Sequence, residues 1–156
     1  MTKIKKIFVL FALFLFFLSC GYTPIFSKKD INFNIENIEF SGNRDVNNKI
    51  DSTLSIYKNK SDKEKIISLV ITNTKNIITA SKNSKGEAQT KKINIDVNVK
   101  IILNKNRIVE KKFSKSSIYD VVESKSEQKT TENKLIENLS EEIAQQTILE
   151  ILKITK

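Results

Sequence analysis

The chain has 156 residues, with 27 Lys and Arg against 18 Asp and Glu, three glycines, one proline, one cysteine, and neither histidine nor tryptophan. The absence of histidine removes the commonest general base and metal ligand, and Gly21, Gly42 and Gly86 make no phosphate-cradling loop. The composition therefore argues against an enzyme, and no metal or other cofactor is expected.

The amino terminus opens on Lys3, Lys5 and Lys6, followed by an unbroken apolar run from Ile7 to Leu18. A basic head, a short apolar core and a small residue make a secretory signal, predicted here as residues 1–19. The run is 12 residues long, and a membrane-spanning helix needs about 20. Cys20 stands directly after it, where bacterial lipoproteins carry the thiol that receives a diacylglycerol before the new amino group is acylated. Ser19 is suitably small, whereas Phe17 and Leu18 are bulkier than the usual lipobox asks for. The alternatives are ordinary cleavage with a leftover thiol, or an uncleaved anchor. Lipidation at Cys20 is the expectation, because small secreted domains otherwise use cysteines in pairs. Each buried acyl methylene adds about 0.8 kcal/mol, so several chains would hold the protein to a leaflet without a spanning helix. Gly21, where an aspartate would ask for inner-membrane retention under the enterobacterial rule, leaves the outer membrane as the expected location.

Residues 20–30 read as a lipidated tether containing Tyr22-Thr23-Pro24-Ile25-Phe26, and residues 31–156 as one domain, a size that allows a single two-layer core. Ile31, Phe33 and Ile35 alternate, and the alternation resumes out of phase at Ile38 and Phe40. That slip predicts either a bulge near Glu36-Asn37 or a strand that begins there. Ser41-Gly42-Asn43 ends it. From Asp45, the residues Val46, Ile50, Leu54 and Tyr57 trace one helical stripe, capped by Asn43 or Asp45. Lys58–Lys65 is charged and reads as an exposed loop.

Three strands follow. The first, Ile66–Ala80, puts Ile67, Leu69 and Ile71 on one side, and Ser81–Glu87 is a turn with Gly86 available for a positive φ. Ile93, Ile95, Val97, Val99, Ile101 and Leu103 then alternate with polar residues, the pattern of an antiparallel strand with one buried and one wet face. Asn104-Lys105-Asn106 turns the chain into Arg107–Glu123, with Val109, Phe113, Tyr119 and Val121 on one parity and a middle, Lys111 to Ser117, too polar to read as buried. Ser124-Lys125-Ser126-Glu127 is a capping box before a long helix. Leu135, Ile136, Leu139, Ile143, Thr147, Ile151 and Ile154 line one face of that helix. Ile148 and Leu152 fall on the other, as a frayed apolar end or a second surface for a partner. The predicted fold is α+β, a two-layer sandwich in the order β-α-β-β-β-α. A mixed four-stranded sheet carries two helices on one face, with its first two strands parallel through a right-handed crossover. Strand order stays open, because β-branched strands of similar length pair in several ways.

Two segments carry a family resemblance. The opening Cys20-Gly21-Tyr22-Thr23-Pro24-Ile25-Phe26 is similar to a C-G-aromatic-x-P-aliphatic-aromatic start, and Asn133–Ile143, preceded by Tyr119, to a closing amphipathic helix. With the element order and length, the chain resembles the LptE-type lipopolysaccharide-assembly lipoproteins. The resemblance implies a function without catalysis: a plug inside an LptD-type outer-membrane β-barrel that helps the barrel assemble and deliver lipopolysaccharide, and that can bind the lipid directly. A wet sheet face would suit a polar barrel lumen. Lys82, Lys85, Lys91 and Lys92, picked from charge alone, are the candidate contacts for lipid phosphates, although a solvated edge is the plainer account of them. The bias toward lysine, isoleucine and asparagine is that of an AT-rich genome, so lysine number alone is weak evidence for a polyanion. Nucleic acid is not an expected partner, because the sequence carries no RNP-like motif and no zinc-finger spacing. A free-standing periplasmic lipid carrier and a purely structural surface lipoprotein are the other readings.

Overall fold

The computed structural model describes residues 32–60 and 63–155. The predicted signal segment, Cys20 and the tether lie outside them. Strand β1 (Phe33–Ser41) leads into helix α1 (Arg44–Leu54), which tightens into a 3-10 turn (Ser55–Tyr57). Strands β2 (Lys65–Lys82), β3 (Ala88–Leu103) and β4 (Arg107–Asp120) follow, and helix α2 (Lys125–Ile154) closes the chain. The sheet order is β1-β2-β3-β4, with β1 parallel to β2 and the other pairs antiparallel. This is the predicted α+β class, with both helices on one face.

The slip in β1 is a bulge. Its register against β2 shifts between Ile35 and Asn37, so Glu36 is the extra residue. Phe33 and Ile35 lie on the buried face before it, and Ile38 and Phe40 pair with Leu69 and Ile71 after it. Two odd and two even residues thus serve one face, which a strict period of two forbids and one inserted residue allows.

Asn43 is the residue that caps α1: its Oδ1 accepts from the backbone N–H of Asp45 and of Val46 at 3.1 and 3.3 Å. Val46, Ile50 and Leu54 are buried, and Tyr57 stacks on Phe33 with ring centroids 5.5 Å apart. Each such side chain contributes about 1.5–3 kcal/mol on burial. The odd-numbered residues of β2 and β3 complete the core, from Ile67 to Ile71 and from Ile93 to Ile101.

Helix α2 starts at Lys125, with Ser124 Oγ accepting from the Glu127 N–H at 3.3 Å. Ile136, Leu139, Ile143, Thr147 and Ile151 are buried as predicted. Ile148 is buried as well, at 2% exposure, and Leu152 is half-buried, so the proposed second partner surface gives way to core. The reason is that α2 packs on α1 as well as on β3 and β4, so two adjoining stripes are covered instead of one.

The polar middle of β4 is accommodated at the sheet edge. Lys111 and Lys115 point to the helix side and pair with Glu150 at 3.1 Å and Glu142 at 2.9 Å. Glu141, next to Glu142, is taken by Lys49 of α1 at 2.7 Å. The adjacent acids Glu141 and Glu142 therefore each hold a lysine of a different element.

Candidate functional surfaces

Three polar features lie outside the apolar core: the outer sheet face, the β2–β3 hairpin, and a polar cluster under the start of α2. The outer face carries the even-numbered residues of β2, β3 and β4. Its rows follow from the register: Thr72–Asn98–Lys112, Thr74–Asp96–Ser114, Asn76–Asn94–Ser116 and Ile78–Lys92–Ile118. The centre of this face is thus hydrogen-bonding and mostly exposed, while Ile78 and Ile118, 51% and 61% exposed, stand on either side of Lys92. No element among the described residues covers it. A depression of about 540 Å³ near Val70, Asn98, Lys100, Glu110 and Lys112 lies on this side. A second, of about 430 Å³, lies between the helices and is lined by Asp45, Asn48, Lys49, Asn133 and Glu137 among others. Both are open to solvent; the first has a mixed polar and apolar lining and the second a mainly polar one.

The β2–β3 hairpin is long because β2 outlasts its neighbour: β1 pairs with it only as far as Thr72. From Asn76 to Ala80, β2 is exposed on both faces. At the tip, the Asn83 side-chain oxygen accepts from the N–H groups of Lys85 and Glu87 at 2.9 and 3.0 Å, and Gly86 takes a φ of 84°. The four lysines picked from charge do not form one cluster. Lys82 and Lys85 are exposed at the tip, Lys92 is on the outer face opposite Ile78 and Ile118, and Lys91 is on the helix side, level with Thr79 and Tyr119. Adjacent strand residues face opposite ways, so Lys91 and Lys92 cannot hold one phosphate together.

Lys91 belongs to the third feature. Buried Tyr119 donates its hydroxyl to Glu132 of α2, and Gln128 donates to the same carboxylate at 2.9 Å. Burial pushes the Tyr119 hydroxyl well above its usual range, helped by the carboxylate beside it. The tyrosine hydrogen bond holds Glu132 below the ordinary glutamate value; burial opposes it, and Gln128, Lys91 and Lys75 reinforce it. Every group here is matched, so the cluster clamps the first half of α2 to β3 and β4. Sequence reading flagged Tyr119 but missed Glu132. The available signal was the rule that a buried tyrosine hydroxyl finds a partner.

Among the described residues, no group of three or more Cys, Asp or Glu could hold a metal ion, and no helix is long and apolar enough to cross a membrane.

No protein-family model and no curated protein sequence matches the chain. Solved structures do. The rare lipoprotein B of Shewanella oneidensis superposes with a TM-score of 0.56 at 12% identity, over 77% of this chain and 96% of that one. An uncharacterized lipoprotein B from Nitrosomonas europaea gives 0.56 at 13% identity, over 78% of this chain and 86% of that one. At such identities the likeness is one of fold, and it extends over more than three quarters of this chain: the chain folds as those bacterial lipoproteins do.

Proposed function

We propose that the protein is an LptE-type outer-membrane lipoprotein, lipidated at Cys20 and held on the periplasmic side. In this reading it plugs an LptD-type β-barrel, supports that barrel's assembly, and takes part in lipopolysaccharide delivery, without catalysis. The observation that carries the reading is the outer sheet face. Its centre is a broad array of Asn, Ser, Thr and Asp, the kind of surface a water-filled barrel lumen can hydrogen-bond. The lipoprotein-like fold and the Cys20–Phe26 opening support it further. In this setting Lys82 and Lys85 would meet lipopolysaccharide phosphates as point charges, and Lys92 would do so from the outer face.

The test is purification of the tagged full chain from detergent-solubilised envelopes. The reading expects a large β-barrel protein to copurify in stoichiometric amount. The rival is a free-standing periplasmic lipid carrier, which would appear as a monomer holding lipid one-to-one with no barrel. The depressions described above are open to solvent and neither is an enclosed cavity for acyl chains, which favours the plug.

A further inference from the structure

We propose that the end of the domain where residue 32 enters the fold docks on the anionic phospholipid headgroups of the leaflet that holds the amino-terminal anchor. The proposal rests on the reading above only in requiring that the chain be membrane-anchored upstream of residue 32. Three observations meet at this end.

The first is attachment. Phe33 pairs with Lys65 at the very start of β2, so the tether joins at the opposite end of the sheet from the hairpin tip. The 18 residues of β2 separate the two by roughly 55 Å. A tether from Cys20 to Asn32 reaches at most about 40 Å when fully extended.

The second is charge. The loop after α1 lies against β1, with the Lys60 N–H donating to Asn34 Oδ1 at 2.8 Å and Lys58 bridging to Ile35. The β3–β4 turn lies beside the start of β2, with the Asn104 N–H donating to the Ile66 carbonyl at 2.9 Å. These contacts bring Lys60, Lys65, Lys105 and Arg107 to one end, and none of the four has an ion-pair partner among the described residues. The nearby acids do not cancel them: among the described residues Asp51 is taken by Lys58, and Glu150 by Lys111 and Lys153, which leaves Glu36, Glu64 and Glu110 against the four cations.

The third is apolar exposure. Ile56, Ile66 and Ile108 are 61%, 37% and 56% exposed and belong to the same three segments. Cations flanking exposed isoleucines suit a headgroup boundary, where the charges meet phosphates and the side chains enter the acyl edge.

The geometry also sends Lys82 and Lys85 away from the anchored leaflet. The two ends would therefore meet different anions: phospholipid at the tether end, and whatever the hairpin reaches at the other.

The test is amine-labelling of the full chain carrying its anchor, reconstituted in nanodiscs of phosphatidylcholine with or without phosphatidylglycerol. The expected result is several-fold slower labelling of Lys60, Lys65 and Lys105 in the anionic discs, reversed by high salt, with Lys82 and Lys85 unchanged. Arg107→Glu, an exposed substitution at the first residue of β4, should speed labelling of Lys105 in anionic discs about fivefold and leave it unchanged in neutral ones. Equal labelling in both discs overturns the proposal, as does slowing confined to Lys82 and Lys85. Protection by inorganic phosphate in neutral discs also overturns it, because that marks a local anion site. No barrel is present, so failure here is distinct from failure of the plug reading.

Discussion

Asn73 shows how one residue can tie three elements together. It stands in line with Ile67, Leu69 and Ile71, where the strand pattern asks for an apolar side chain, and it is 2% exposed. Its Oδ1 accepts from the Asn43 N–H at 3.0 Å, and its amide donates to the Ser41 carbonyl at 3.2 Å and to Asn47 at 2.5 Å. It thereby joins the end of β1 and the start of α1 to β2. Its odd parity matches that of Ile67, Leu69 and Ile71, but the sequence reading did not single it out, because the partners that satisfy it come from other elements and were not legible in the sequence. Asn73→Leu would strand those groups and should cost about 3 kcal/mol in urea unfolding. Gly42, with φ of 102°, packs against the same residue, and a Cβ there would lie 2.0 Å from the Asn73 carbonyl oxygen. Gly42→Ala should therefore destabilise by more than about 2 kcal/mol, whereas Gly86→Ala at the open tip meets no neighbouring atom and should cost about 1 kcal/mol.

The acids at the helix–sheet contact set the pH response. Glu132 is lowered chiefly by the Tyr119 hydroxyl, and Glu150 by hydrogen bonds from Lys153 and Lys111. A carboxylate whose folded pKa lies below its unfolded one adds stability above the unfolded value, and that stability is lost as pH falls through the folded one. Thermal unfolding should show Tm falling from about pH 5 downward. Tyr119→Phe should cost about 1–2 kcal/mol at neutral pH and flatten part of that acid slope. The raised Tyr119 hydroxyl acts at the other extreme, with stability kept below pH 10 and lost as the phenol is forced to ionise above it.

Among the elements, β3 was the most legible, because one face is core and the other solvent throughout, and periodicity reads that directly. Helix α2 was read correctly at its Ser124 cap and along its main stripe. It was misread at Ile148, since a sequence shows how many faces are apolar but not how many neighbours wait to cover them. The middle of β4 was left ambiguous for a related reason: Lys111 and Lys115 look solvent-bound until the acids of α2 are placed above them. Such half-exposed pairs are worth little singly, so Lys115→Ala should shift stability by less than about 1 kcal/mol. Removing the N-cap with Ser124→Ala should cost about 1 kcal/mol. Deleting Glu36 gives a larger change. Without the bulge, either Phe33 and Ile35 or Ile38 and Phe40 must turn away from the core, so loss of cooperative unfolding by circular dichroism is the expected outcome.

At the scale of the molecule, the class and element order were readable and the strand order was not, because it depends on pairings between distant segments. The candidate contacts were legible only in part. Lys82, Lys85, Lys91 and Lys92 are neighbours along the hairpin, yet the pleat sends Lys91 to the helix side and Lys92 to the outer face. The outer face itself was foreseen as wet from the alternation in β3; the isoleucines of β2 and β4 beside Lys92 appear only once the register is known. What the architecture offers is a small domain whose helices and core lie on one side of the sheet and whose other side is an uncovered, largely polar array. In the proposed reading, that polar side is the one that meets the barrel lumen.

The measurement that tests this most directly is photocrosslinking in intact cells from single positions on the sheet, with a photoreactive residue in place of Asn94 or Ser116. The account predicts that both positions yield one adduct with a large outer-membrane β-barrel protein, while the same residue at Lys129 on the exposed side of α2 gives a weaker adduct or none. Adducts only with lipid, or only with a second copy of the chain, would contradict it.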